Sequence, residues 1–142
     1  MKTMILCAAA IAVATPASAE SWMTYSRSQT TAYLADVDSI TLTGDITSMR
    51  VASVPRETPA AEVSYTIETY EFQCAASKWR TAGAKEFDHA GVETGDYPEA
   101  DAAWENVNPS TPPGFIKTIA CDNARSPTSF PTLQAFIETG RP

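Results

Sequence analysis

The chain has 142 residues and a formal net charge of −7, from 17 acidic and 10 basic side chains. Proteins that bind nucleic acids or anionic lipid surfaces carry clustered lysine and arginine, so the acidic balance argues against both kinds of partner. The length suits one domain with one hydrophobic core.

Residues 1–19 have the pattern of a secretory signal peptide. Lys2 precedes an apolar, uncharged run over residues 4–14, and an Ala-Ser-Ala triplet ends the segment. These are the three features of a cleavable export signal. The apolar run is shorter than the roughly 20 residues that a helix needs to cross a bilayer. We therefore predict cleavage after Ala19 and export of residues 20–142 to the periplasm, the cell surface or the extracellular space, with no transmembrane segment.

Two cysteines follow the predicted signal peptide, Cys74 and Cys121. An even number of cysteines in an exported chain indicates a disulfide, because the compartment is oxidising. A metal or redox pair is disfavoured, since the two are not in C-x-x-C spacing and the chain has 1 histidine. We predict a structural disulfide, which on the chain-entropy model contributes about 4 kcal/mol.

The first segments after the signal peptide are rich in Thr, Ile, Val and aromatic residues, which favour β-strands. They cover residues 21–28, 30–36 and 40–54. The last of these contains Gly44-Asp45, a typical signal of a hairpin turn. We therefore predict that it forms two strands around this turn.

Residues 63–74 form the longest predicted strand, and their apolar positions change phase half-way. The first half carries Val63, Tyr65 and Ile67, and the second half carries Tyr70, Phe72 and Cys74. Side chains alternate between the two faces of a strand, so a change of phase needs a bulge or a strong twist. We predict an irregularity near Glu68-Thr69, or a change of packing partner there.

After a turn at residues 75–77, residues 78–87 are predicted to return as a strand. Residues 88–103 are rich in Gly, Asp and Glu without a period, which predicts a long acidic surface loop. Its candidate cation ligands are Asp88, His89, Glu93, Asp96, Glu99 and Asp101. They lack the fixed spacing of a calcium loop. We predict no metal and no cofactor, and whether this loop binds a cation stays open here.

Two short helices are predicted near the end of the chain. The first begins at Pro112-Pro113 and has apolar residues at helical spacing, with Cys121 at its end. The second lies in a tail over residues 124–142. It has Ser129 as a candidate cap, an apolar face of Leu133, Phe136 and Ile137, and Gly140 as its stop.

Strands followed by helices predict the α+β class. We expect a single antiparallel β-sheet of about six strands with a C-terminal helix packed on it, joined by the disulfide. Residues 20–123 would form this domain, and residues 124–142 would form a tail with its own short helix.

The sequence offers no catalytic constellation. The G-x-S-x-G, H-E-x-x-H and phosphate-loop patterns do not occur in it. His89 stands alone in the acidic segment, and nothing indicates a cleft that would hold Glu68 and Glu71 across a substrate. Of the large aromatic residues, at least two of Trp22, Trp79 and Trp104 are expected in the core, and Tyr97 is the better candidate for an exposed contact. We predict no catalytic residues and no enzymatic activity.

Several landmarks, taken in order, resemble those of the surface-adhesin protein E-like family of small exported bacterial proteins. They are an aromatic strand at Trp22, the element "AYLADVDSI" with Tyr33, Asp36, Ser39 and Ile40, the strand end Glu71-Phe72-Gln73-Cys74, the return Lys78-Trp79-Arg80, the element with Trp104, Val107, Pro109 and Ser110, and Cys121. Together they span about residues 22–121.

The resemblance implies one antiparallel sheet with a helix packed on it, held by the disulfide, and sometimes a homodimer. It implies a non-catalytic binding module of the bacterial cell envelope, whose protein partner is a host matrix protein or an envelope component. The alternative is a periplasmic small-ligand carrier, or an enzyme with an unrecognised site. A deep apolar pocket with convergent polar groups would favour that alternative.

Overall fold

The computed structural model describes residues 19–142, so the predicted signal peptide lies outside the described residues except for Ala19. The strands are β1 (Trp22–Arg27), β2 (Thr31–Thr43), β3 (Ile46–Pro55), β4 (Tyr65–Gln73), β5 (Lys78–Phe87), β6 (Glu93–Pro98) and β7 (Glu105–Asn106). The helices are a 3-10 turn at Ala60–Glu62, α1 (Pro112–Ala120) and α2 (Leu133–Glu138).

The strands form one antiparallel sheet in which neighbours in the chain are neighbours in space. Its order is β1-β2-β3-β4-β5-β6. The short strand β7 also pairs with β5, at Lys78 and Trp79, before the part of β5 that pairs with β6. The predicted α+β architecture, a single antiparallel sheet with a disulfide and a helix at the C-terminus, is confirmed.

The predicted turn at Gly44-Asp45 is confirmed, because Thr43 pairs with Ile46 across a two-residue loop. Gly44 has a φ of 64°, which such tight hairpin turns require and glycine adopts without strain. The separation of residues 30–36 from the next strand is wrong, since β2 is continuous.

A bulge accounts for this continuity of β2. Its register against β3 shifts between Asp36 and Thr41. There the Ser39 hydroxyl donates to the Asp36 carbonyl oxygen at 2.7 Å and accepts from the Arg50 backbone N–H at 2.9 Å. The Ser39 side chain therefore supplies hydrogen bonds where the regular pairing is interrupted.

The interpretation of residues 88–103 as a loop is wrong over Glu93–Pro98, which form β6 against β5. The Asp88 carboxylate accepts hydrogen bonds from the backbone N–H groups of Ala90 and Val92, both at 2.9 Å, and so orders the turn before β6. An edge strand can be held by backbone pairing with almost no buried side chains, so it leaves no apolar period in the sequence.

The sheet carries a hydrophobic cluster on each face, because neighbouring residues of a strand point to opposite sides. One cluster lies under α2 and contains Trp22, Ala32, Leu34, Ala52, Val54, Val63, Tyr65, Leu133, Phe136 and Ile137. The other lies under α1 and contains Met23, Ala35, Met49, Val51, Phe72, Ile116 and Ile119. We call these sides the α2 face and the α1 face.

The two faces explain the change of phase in β4. Tyr65 and Ile67 pack on the α2 face, whereas Tyr70 and Phe72 pack on the α1 face. The register against β5 shifts between Thr69 and Tyr70, but the extra residue, Ala82, lies in β5, and β4 pairs with β3 without a shift. The predicted bulge in β4 is therefore wrong, and the alternative, a change of packing partner, is confirmed. The change of phase therefore reflects two packing partners, one on each side of the sheet.

The disulfide between Cys74 and Cys121 is confirmed, and it joins the end of β4 to the end of α1 with Cα atoms 5.7 Å apart. At its other end, α1 approaches the preceding loop closely at Gly114. A Cβ atom there would lie 2.4 Å from the Asn108 carbonyl oxygen and 2.6 Å from the Pro109 Cα. The position therefore tolerates glycine alone without a shift of backbone.

The apolar face predicted for α2 is confirmed, since Leu133, Phe136 and Ile137 are buried. The predicted cap is wrong: α2 begins after Thr132, whose side chain accepts a hydrogen bond from the Ala135 N–H at 3.0 Å. The division of the chain at residue 123 stays a prediction.

Candidate functional site

A pocket of about 260 Å³ opens on the α1 face, between the sheet and the start of α1. The side chains that define it are Tyr25, Tyr33, Glu68, Tyr70, Pro112 and Phe115. We call it the tyrosine pocket. It lies beside the hydrophobic cluster under α1, against which Tyr25 and Tyr70 also pack.

The sheet builds the pocket by placing tyrosines on β1, β2 and β4 around smaller residues of β3. Val51 and Ser53 of β3 line the space between them. The ring centroids of Tyr25 and Tyr33 are 6.4 Å apart, and the Tyr70 ring stacks on Trp79 at 5.6 Å. The register of β1 against β2 shifts at Tyr25, between Thr24 and Ser26. Packing on neighbouring rings thus restricts all three tyrosines.

Burial moves the pKa of two of the pocket tyrosines, Tyr25 and Tyr70, further above neutral pH. It raises the pKa of Tyr70 to about 12, with the nearby Glu68 carboxylate adding to the effect, and it raises the pKa of Tyr25 well above its ordinary value. These hydroxyls are therefore hydrogen-bonding groups at neutral pH.

Glu68 is the carboxylate of the pocket, and it is partly buried. Burial raises its pKa above the ordinary value, the charge of Glu99 adds to this rise, and a hydrogen bond from Tyr70 opposes it. Within residues 19–142, no lysine or arginine forms an ion pair with Glu68.

Glu71 lies on the opposite side of the sheet from Glu68, because the two are three positions apart on one strand. Its carboxylate accepts from the Arg80 Nε–H at 2.7 Å, and the Arg80 guanidinium lies 4.6 Å from the Trp104 ring centroid. Glu68 and Glu71 therefore do not converge on one site. The Arg80 and Trp104 landmarks have a structural role in linking β4, β5 and the segment before β7.

A second landmark, Asp36, is also structural. Its fully buried carboxylate accepts from the backbone N–H groups of Ser21 at 3.0 Å and Asp38 at 3.2 Å, and it forms an ion pair with Arg50. Arg50 also contacts Glu20 at 3.2 Å. The buried charge is therefore fully partnered.

The acidic segment does not gather its side chains around one point. Lys85 pairs with Glu93 at 2.9 Å and with Asp96 at 3.3 Å, and His89 is exposed. Over residues 19–142, no three histidine, cysteine or acidic side chains are grouped so that they could hold a metal ion. Tyr97 is 56% exposed, as expected, and Trp22 is fully buried whereas Trp79 and Trp104 are partly buried.

The family model of surface-adhesin protein E matches residues 22–122, which include all seven strands, α1 and both cysteines of the disulfide. The chain belongs to this family. No curated protein and no solved structure matches it. None of the helices within residues 19–142 is long and apolar enough to span a membrane. The family assignment made from the landmark residues is thus confirmed.

Sequence reasoning did not find the tyrosine pocket. Its tyrosines lie far apart in the chain, and each reads in isolation as an ordinary strand residue. The available signal was the phase of β4, which places Glu68 on the same side as Tyr70 and Phe72.

Proposed function

We propose that this member of the surface-adhesin protein E family is a non-catalytic binding module of the bacterial cell envelope. It acts after export, at the cell surface or in the periplasm, and it recognises a protein partner. The family match over residues 22–122 supports a role related to adhesion. The predicted signal peptide over residues 1–19 supports export.

The tyrosine pocket is the observation that carries the proposal. Tyrosine rings are enriched at protein interfaces, because they combine a large apolar surface with a polar hydroxyl. Phe115, which is 52% exposed on α1, extends this aromatic surface outward from the pocket. The described lining residues include no histidine or cysteine, and burial raises the pKa of Tyr25 and Tyr70. This chemistry favours recognition over catalysis.

The partner is a host matrix protein or another component of the envelope. The net charge of −7 favours a partner surface with basic character, since complementary charge accelerates association. Such binding weakens as salt is added, because ions screen exposed charges over about 10 Å at 0.1 M.

Binding of the exported protein to two panels at several salt concentrations tests the proposal. One panel holds host matrix glycoproteins and the other holds fractionated envelope components of the organism. We expect saturable, salt-sensitive binding that Phe115→Ser weakens. Leu42→Ser is the matched control, because Leu42 is 72% exposed on β2 and does not line the pocket. Equal binding by both variants, or no binding to either panel, would contradict the proposal.

A second candidate function is a periplasmic small-ligand carrier. The pocket of about 260 Å³ with its partly buried Glu68 is the observation that favours it. A homodimer stays a separate prediction, and light scattering of the purified protein tests it.

A further inference from the structure

We propose that the tyrosine pocket binds an organic ammonium group, with Glu68 as its counter-charge. The inference rests on the proposed function and names the chemistry of the group that enters the pocket. The same chemistry occurs in a small free ammonium compound and in the lysine side chain of a partner protein.

The arrangement of rings is the first support. Tyr25, Tyr33 and Tyr70 come from three strands and present aromatic surface to one space. A cation within about 6 Å of an aromatic face is attracted by the negative centre of the ring, and desolvation strengthens the attraction. Several rings around one pocket are the usual means by which proteins bind quaternary ammonium groups.

The charge of Glu68 is the second support. Two other buried or partly buried carboxylates on the sheet have a basic partner, since Asp36 pairs with Arg50 and Glu71 pairs with Arg80. Glu68 is partly buried and forms no ion pair with a basic side chain of residues 19–142. Partial burial without a counter-charge disfavours the ionised form of a carboxylate. A bound cation would supply the missing charge.

The pocket also admits a cation without repulsion. The described residues that line it include no lysine, arginine or histidine. Its volume of about 260 Å³ lies below the usual range for drug-sized ligands, about 300–1,000 Å³, so it suits one small head group or the end of one side chain.

Calorimetric titration of the exported protein tests the inference with paired probes. Choline is compared with 3,3-dimethylbutan-1-ol, which has the same shape with carbon in place of the charged nitrogen. A Gly-Gly-Lys-Gly-Gly peptide is compared with its norleucine counterpart. We expect at least one cationic probe to bind and its neutral counterpart not to bind.

Variants locate the site of binding. Glu68→Gln keeps the shape of the side chain, removes its charge, and should weaken binding of the cation by about tenfold or more. Glu57→Gln is the matched control, because Glu57 is exposed and does not line the pocket. The substitution removes the same charge from the protein as Glu68→Gln does. It should bind like the wild type.

The pattern of binding identifies the source of the ammonium group or overturns the inference. Binding of choline alone indicates a small free ammonium compound as the source, and binding of the lysine peptide alone indicates a partner side chain. Silence of both cations, equal binding of the neutral probes, or an unchanged affinity in Glu68→Gln would overturn the inference. If no cation bound but the protein still bound a member of either panel, the inference would fail and the proposed function would stand. If choline bound but no member of either panel did, the proposed function would fail and the inference would stand.

Discussion

The two faces of the sheet are built from the same strands, and both carry pockets, but the residues that line these pockets differ in charge. The pockets on the α2 face, of about 220 and 510 Å³, are lined in part by Arg50, whereas the tyrosine pocket has no basic residue among its described lining residues. On the α2 face, Trp22 and Phe136 are fully buried, and the ring centroids of Phe130 and Phe136 lie 5.1 Å apart in an edge-to-face arrangement. On the α1 face, the hydrophobic cluster borders the tyrosine pocket, which contains Glu68, a carboxylate with no basic partner within residues 19–142.

The difference separates the face that holds the tail to the sheet from the face to which we assign recognition. The α2 face holds the tail to the sheet through apolar packing and the reciprocal backbone hydrogen bonds of Trp22 and Phe130, both 2.9 Å. On the α1 face, a disulfide holds the short helix α1 to the sheet. Because the link is covalent, α1 needs less buried apolar surface to stay in place than α2 does. The space beside that helix is then free for a ligand.

The largest expected effect comes from breaking the α2 face. Phe136→Ala removes a fully buried ring and should lower the free energy of unfolding by about 3–5 kcal/mol, because the cavity refills only partly. Urea denaturation measures it. Phe115→Ala is the control, since Phe115 is 52% exposed, and it should cost far less. Similar losses in the two variants would contradict the assignment of the α2 face to stability.

The next largest loss of stability is expected from removing the disulfide of the α1 face. Replacing both Cys74 and Cys121 by alanine removes the disulfide without leaving a free thiol, and should cost about 2–4 kcal/mol. The wild type under reducing conditions serves as a comparison. An unchanged denaturant midpoint would show that α1 is held by its apolar contacts instead.

A smaller effect is expected where α1 meets the loop before it. Gly114→Ala places a Cβ 2.4 Å from the Asn108 carbonyl oxygen, and the neighbouring backbone cannot rotate away as a flexible side chain would. We expect a net loss of about 1 kcal/mol or more, because the overlap exceeds the gain in helix propensity. Thermal unfolding measures it, and a rise in the melting temperature would contradict the close approach.

The smallest effect concerns Glu68 and has the opposite sign. At neutral pH, Glu68→Gln should raise the free energy of unfolding by less than about 1 kcal/mol, because it removes a partly desolvated charge. The raised pKa means that Glu68 contributes stability below its ordinary pKa of 4.5, and that this contribution is lost as the pH rises through the folded-state value.

The gain in Glu68→Gln should therefore vanish in acid and appear above the raised pKa. Denaturation of both proteins across this pH range measures the difference. A loss of stability at neutral pH would mean that ionised Glu68 supports the fold. Its presence in the pocket would then be explained without a bound ligand.

Strands and helices with buried side chains could be predicted from the sequence, and backbone-held elements could not. Tyr65, Phe72 and Phe136 mark their elements because apolar residues recur at the period of the structure. Strand β6 was missed because its pairing with β5 is made by backbone groups, while its side chains are mostly exposed.

The disulfide could be predicted because the exported chain retains two cysteines after the predicted cleavage, which admit one intrachain pairing. The pocket could not, because it depends on which strands become neighbours. Tyr33 and Tyr70 meet around Glu68 through the register of β2, β3 and β4, which no local pattern encodes.

Chemical-shift mapping with choline and with the Gly-Gly-Lys-Gly-Gly peptide tests the central claim most directly. Titration of the isotopically labelled protein with the cation that binds is predicted to shift the resonances of Tyr25, Tyr33, Glu68 and Tyr70, and to leave those of Phe136 and the rest of the α2 face unchanged. Shifts centred on the α2 face, or no shifts with either cation, would contradict the account that the α1 face recognises a cation.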